Sequence, residues 1–158
     1  MQMDEVKSHA ARLGRIVYLA TVRADGRPHS APVGVAWIGD TVCAFNQNPS
    51  VKVANVQACS AVHLHWAVSA DTNHDSLVID GDATVVDTTE GRAALWNRMG
   101  YDLSEFEPGG PASDGHVFLK IVPRRAALLY RFGFDGRESW SADGAIIDLR
   151  KDTPLSPT

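Results

Sequence analysis

Apolar residues along this chain come in short runs separated by polar turns, a spacing that favours strands over long helices. The start is different. Over residues 3–13, Val6, Ala10 and Leu13 fall on one helical face, and Gly14 is a suitable stop. Residues 15–23, RIVYLATVR, are β-branched and aromatic enough for a buried strand. Asp25-Gly26 then predicts a hairpin into a second strand over 29–38, HSAPVGVAWI, in which Val33, Val35 and Trp37 alternate on one face. Pro32 and Gly34 interrupt that strand. Proline cannot donate to a ladder and glycine allows close backbone approach, so an edge, a bulge or a ligand lying against the strand is expected there.

Gly39-Asp40 turns into a third apolar strand, Val42 to Phe45, which Asn46, Gln47, Asn48 and Pro49 break. Ser50 can cap a short helix over 51–57, with Lys52 in its first turn, and Ala61 to Ala67 reads as a further strand containing Trp66. After a polar loop at 68–75 comes a long strand, 76–87, with Gly81 at a bulge. Residues 87–90 have capping-box spacing, opening a helix that runs to about Met99 with Gly100 as its stop. Residues 100–115 are acidic and rich in Gly and Pro; a loop of that length is a lid or a disordered segment. Residues 116–131 alternate as a strand, with a break at Pro123 and Arg124-Arg125 in a solvated turn. A last hairpin turns at Asp135-Gly136 and returns near Glu138 to Trp140.

These elements make a mainly β protein: six or seven antiparallel strands in a barrel, with peripheral helices and no βαβ alternation. Residues 1–149 read as one domain and 150–158, with two prolines and little to bury, as a loose tail. Composition narrows the function. At 158 residues the chain is long enough for a sizeable core, and 44% apolar against 22% charged residues is ordinary for a globular protein. A net charge of −4 offers no basic surface for nucleic acid. No apolar run approaches the ~20 residues that span a bilayer. The opening MQMDEVKSHAARLG is too polar for a secretory signal, and Cys43 and Cys59 form no CxxC pair. The expectation is a cytoplasmic protein with reduced thiols.

The helix at 51–57 carries the first chemical signal. Free N–H groups and a lysine at a helix N-terminus make an anion site, while the plainer alternative is a capped helix with a solvated lysine. The run Asn46, Ser50-Val51-Lys52, Asn55 and Trp66 resembles the segment that grips the cofactor phosphate in the pyridoxamine 5'-phosphate oxidase-like split barrels, which bind flavins or deazaflavins. Residues 25–33, DGRPHSAPV, are similar to a run in the deazaflavin-using members. The resemblance is most specific over residues 15–67.

It implies an antiparallel split β-barrel binding the deazaflavin F420 first and FMN second. Ser50, Val51 and Lys52 would hold the phosphate. His29, Ser30, Pro32 and Val33 would lie along the ring, and Asn46 and Gln47 would bond the ring or ribityl chain. In true pyridoxamine-phosphate oxidases the residues aligned with Ala31 and Ala36 are basic, so that activity is not implied here. In this family the cofactor carries the redox chemistry, and no catalytic proton donor is named. The implied function is an oxidoreductase moving hydride to or from a small organic substrate. The alternative is a non-catalytic protein that binds or sequesters the cofactor. The resemblance also implies a homodimer with the cofactor between subunits, the second wall coming from the 68–75 loop and the hairpin near Arg137 and Trp140.

Other features are better explained by packing. His63 and His65 face one way on a strand, but no third zinc ligand is placed by the sequence. Trp37, Trp66, Trp96 and Trp140 read as core and interface aromatics. No Ser/His/Asp nucleophile motif or phosphate-cradling Gly-rich loop is present.

Overall fold

The computed structural model describes residues 1–145, so the expected tail at 150–158 and the end of the expected domain lie outside the described residues. The elements are α1 (Met3–Leu13), β1 (Ile16–Val22), β2 (Pro28–Ile38), β3 (Thr41–Gln47), α2 (Val51–Ala58), β4 (Ala61–Trp66), β5 (Ser76–Val86), α3 (Thr89–Trp96), β6 (His116–Tyr130) and β7 (Gly136–Ser141). The sheet order is β3-β2-β1-β4-β5-β6-β7, and β3 also pairs with β6. Six antiparallel strands therefore close on themselves, and β7 adds to the outside of β6. The expected mainly β barrel is the fold observed.

Alternation fills the barrel. Val17, Leu19, Leu64, Leu77, Ile79, Leu119, Ile121 and Leu128 are all fully buried. Helix α1 adds Val6, Ala10 and Leu13 to the same core, and the Trp66 indole N–H donates to the Gly14 carbonyl at 3.0 Å, tying β4 to the end of that helix. Among the described residues no helix is long and apolar enough to cross a membrane. Cys43 is buried, Cys59 is partly buried, and both are free thiols.

The β5–β6 register shifts between Asp80 and Gly81, where the sequence predicts a bulge. A Cβ on Gly81 would lie 2.6 Å from the Val122 carbonyl oxygen, which explains the glycine. Pro123 sits opposite Gly81 at this irregularity, so β6 runs through the expected break. Arg124 and Arg125 are consequently strand residues and not a solvated turn. Arg124 pairs with Asp82 at 2.6 Å and Arg125 with Asp80. Asp80 also meets His63 at 2.6 Å, and His65 meets the Ser76 hydroxyl at 2.8 Å. Burial pushes the Asp80 carboxyl up, but His63 and Arg125 outweigh it and hold the group below its ordinary range. Helix α3, capped by the Thr88 hydroxyl, ends at Trp96, about a turn short of the expected Met99.

A second, smaller core lies under the 100–115 loop, where Cys43, Met99, Leu103 and Phe118 are buried together. His116 stacks on Phe45 with centroids 5.4 Å apart and lies 5.2 Å from Trp96 and 5.6 Å from Phe118. It is fully buried, and neither ring nitrogen makes a hydrogen bond. Glu107 of the loop, 3.9 Å away, and Arg92 of α3 are the charged groups that face it. Burial pushes its pKa down, Glu107 opposes that shift, and Arg92 adds to it. A histidine depressed in the folded state stabilises fully above its unfolded pKa, and that contribution is lost as pH falls below it. Between about pH 7 and about pH 5, the urea midpoint of the native protein should therefore fall more steeply than that of His116→Phe. Equal slopes for the two proteins would show that His116 does not carry this pH dependence.

Candidate functional site

Helix α2 is placed by its own polar residues. The Ser50 hydroxyl accepts from the Val53 N–H at 3.4 Å, as an N-cap does. Asn55, on the buried face with Val53 and Val56, donates to the Thr21 hydroxyl of β1 at 3.0 Å. Both groups are buried, so this bond fixes the helix against the barrel with no competing water. The first turn of α2, with Lys52, consequently opens onto a cavity of about 580 Å³, within the size range of small-molecule sites.

Four secondary-structure elements and the loop at 100–115 build this cavity. Ile16 of β1 and Pro32, Val33 and Gly34 of β2 form one wall. Phe45, Asn46 and Gln47, at the end of β3, form another beside Lys52. Tyr101, Asp102, Glu105 and Phe106, from the loop at 100–115, cover it, and Arg15 stands at the head of β1. The loop is thus a lid over the cavity, the first of the two possibilities raised by its composition.

The polar groups here are unevenly satisfied. Asn46 is 2% exposed; its amide donates to the Ala44 carbonyl at 3.0 Å, but its carbonyl oxygen has no partner. A buried, unpaired acceptor lining a cavity is costly to keep unless something donates to it. Neither Lys52 nor Arg15 has a carboxylate partner among the described residues. Arg15 lies over the Tyr101 ring, 4.6 Å from its centroid, and burial pushes the Tyr101 phenol up against the opposing effect of that guanidinium. The Asp102 carboxylate is held below its ordinary range by the Ser104 hydroxyl and N–H, at 2.6 and 2.9 Å.

Of the residues singled out in the sequence, Pro32, Val33, Asn46, Gln47 and Lys52 line this one cavity. His29, Ser30, Ser50 and Val51 are outside its lining: His29 and Ser30 lie earlier on β2, and Val51 is 47% exposed. Arg15, Ile16, Phe45 and the four loop residues were missed. Gly34 was noted for close approach, and the structure supplies the reason: a Cβ there would overlap the Tyr101 hydroxyl. Tyr101 and Phe106 carried a usable signal, because two aromatics in an otherwise polar loop need a surface to cover. Ala31 and Ala36 do not line the cavity, and Ala36 packs on the small core under the loop.

Structural comparison finds the same fold in several solved proteins. The General Stress Protein 26 of Bacillus anthracis str. Sterne is 20% identical with a TM-score of 0.70, over 89% of this chain and 99% of that one. A pyridoxamine 5'-phosphate oxidase-related, FMN-binding protein of Nostoc punctiforme is 17% identical with a TM-score of 0.67, over 89% and 97%. An F420 reductase is 21% identical with a TM-score of 0.55, over 71% and 88%. At these identities the likeness is one of fold. No curated protein matches the chain. The sequence profile of pyridoxamine 5'-phosphate oxidase, however, matches residues 8–130, from α1 through the end of β6. On that match and that fold, the chain belongs to the pyridoxamine 5'-phosphate oxidase family.

Proposed function

We propose that the cavity takes a flavin-type cofactor, F420 first and FMN second, and that the protein is an oxidoreductase passing hydride to or from a small organic substrate. The observation that carries this reading is the buried, unpaired Asn46 carbonyl oxygen in a cavity that also holds the unpaired Lys52. A ring N–H would satisfy the first, and a phosphate the second together with the orphan N–H groups at the start of α2. Family relatives of this fold that are described as an F420 reductase and as FMN-binding support the choice of ligand.

The cofactor, when bound, supplies the hydride chemistry; the chain supplies position and exclusion of water. Lys52 contributes a point charge at the phosphate. The Ser50 oxygen already accepts from Val53, which leaves its hydroxyl proton to donate, and Val51 offers its backbone N–H at the first helical position. Pro32 and Val33 give the ring an apolar wall, with Gln47 beside Asn46. His29 and Ser30 would meet only a portion of the ligand that extends along β2 past Pro32. With Ala31 and Ala36 in place of cations, the protein is not read as a true pyridoxamine-phosphate oxidase. Two free thiols suit a reducing compartment, and we read the protein as cytoplasmic.

Absorption titration with each cofactor tests the site. Lys52→Ala should weaken binding by about 1.5–3 kcal/mol, the range of a charge-assisted hydrogen bond, with the melting temperature little changed. The same preparation with FMN should release no hydrogen peroxide from pyridoxamine phosphate. Unchanged affinity for both cofactors in Lys52→Ala would remove the phosphate assignment.

We also propose a homodimer in which each subunit completes the other's cavity. One chain leaves Ile16, Tyr18 and Phe106 about half exposed or more, whereas ligand pockets bury most of their ligand. The hairpin side carries Phe132 and Phe134, 56% and 82% exposed, beside Arg131 and Arg137. Those exposed phenylalanines complement the aromatic loop of a second copy in apolarity. In this arrangement the 68–75 loop and the hairpin near Arg137 and Trp140 supply the second wall twice, by two-fold symmetry. Sedimentation at micromolar concentration should give about twice the 17.1 kDa chain mass. A monomer that binds one cofactor tightly would refute the shared site.

A further inference from the structure

Arg15 lines the cavity, but the cofactor reading gives it no task. It is exposed at the head of β1, and its carbonyl is anchored by the Val35 N–H at 2.9 Å. Its guanidinium carbon lies 4.6 Å from the Tyr101 ring centroid, and its N–H donors make no hydrogen bond or ion pair among the described residues, so they are available to a ligand. The pair is deliberately seated. Gly34 has no left-handed backbone that would require glycine, yet a side chain there would collide with the Tyr101 hydroxyl. Arg15, Gly34 and Tyr101 come from three separate parts of the chain and converge at one place. Ile16 and Phe106, 51% and 65% exposed, line the same cavity and present apolar surface beside them. Of the two acids in the lining, Asp102 is turned to Ser104, and Glu105 stands exposed.

We propose that Arg15 and Tyr101 form a carboxylate-binding subsite, and that the substrate of this cavity is a small planar organic acid, an unsaturated or aromatic monocarboxylate. The proposal rests on the oxidoreductase reading for the word substrate, though the subsite itself does not need the cofactor. A planar guanidinium receives a carboxylate through two parallel N–H donors, which a lysine cannot do. The Tyr101 hydroxyl is a further donor at the same corner. Ile16 and Phe106 accept the planar body. Asp102 and Glu105 disfavour a second negative charge on the ligand, which is why a monocarboxylate is specified.

Calorimetric titration of the full-length protein with trans-cinnamate and with cinnamamide, its neutral counterpart, tests this. The native protein should bind the acid at least about tenfold more tightly than the amide, as expected for a charge-assisted pair. Arg15→Gln should abolish that preference, and Arg15→Lys, which keeps the charge without the fork, should retain only part of it. Equal affinity for acid and amide, no binding of the acid at millimolar concentration, or an undiminished preference in Arg15→Gln would overturn the subsite. Protein preloaded with F420 or FMN should still bind cinnamate. Exclusion of cinnamate by the loaded protein would give the corner to the cofactor and refute the substrate assignment. A protein that binds neither cofactor but keeps the acid preference would sink the cofactor reading alone and leave the subsite standing.

Discussion

The pairing of β3 with β6 is the constraint on which the rest of the structure depends. It closes the sheet, and its register runs to Gln47 opposite His116. That last pair sets the end of β3, where Asn46 and Gln47 lie, beside the point where the 100–115 loop enters β6. Two further bonds extend the junction, from the Asn48 N–H to the Gly115 carbonyl at 3.0 Å and from its side chain to the Asp114 carbonyl at 3.3 Å. The lid is therefore anchored to the same strand end from which α2 and Lys52 depart. Lid, strand end and cation share one junction because the barrel is closed there.

The fold was largely legible. Asp25-Gly26 and Asp135-Gly136 marked real hairpins, Gly81 marked a real bulge, and Ser50 is a real helix cap, whereas the capping-box spacing at 87–90 put the start of α3 one residue early: the cap is Thr88, which accepts from Gly91. These signals are local: each depends on the φ preference, hydrogen-bonding capacity or lack of a side chain of one or two residues. The misjudged stretch, Pro123 to Arg125, depended on a distant partner. A proline reads as a break until Gly81 and its bulge are seen across the ladder, and two adjacent arginines read as solvated until Asp80 and Asp82 are placed opposite them.

The site was half legible for the same reason. Pro32, Val33, Asn46, Gln47 and Lys52 lie in or beside a contiguous motif, so resemblance reached them. Arg15 and Tyr101 are 86 positions apart in sequence and meet only through the lid. Gly34 was visible as an oddity, but its explanation was that distant tyrosine. His116 gave no signal at all, because a histidine beginning a strand is unremarkable until Phe45, Trp96 and Phe118 surround it.

The central claim is that the first turn of α2 holds a phosphate, with the ring lying toward Asn46. The most direct measurement compares FMN with riboflavin, which differ only in the terminal phosphate, in one equilibrium titration of the native protein. The account predicts that loss of the phosphate weakens binding by about tenfold or more, the scale of a charge-assisted contact. It also predicts that the bound chromophore keeps its spectral shift, because the Asn46 end of the cavity is untouched. Equal affinities for the two ligands would contradict the account, since the cavity would then read the ring alone and the Lys52 corner would hold nothing.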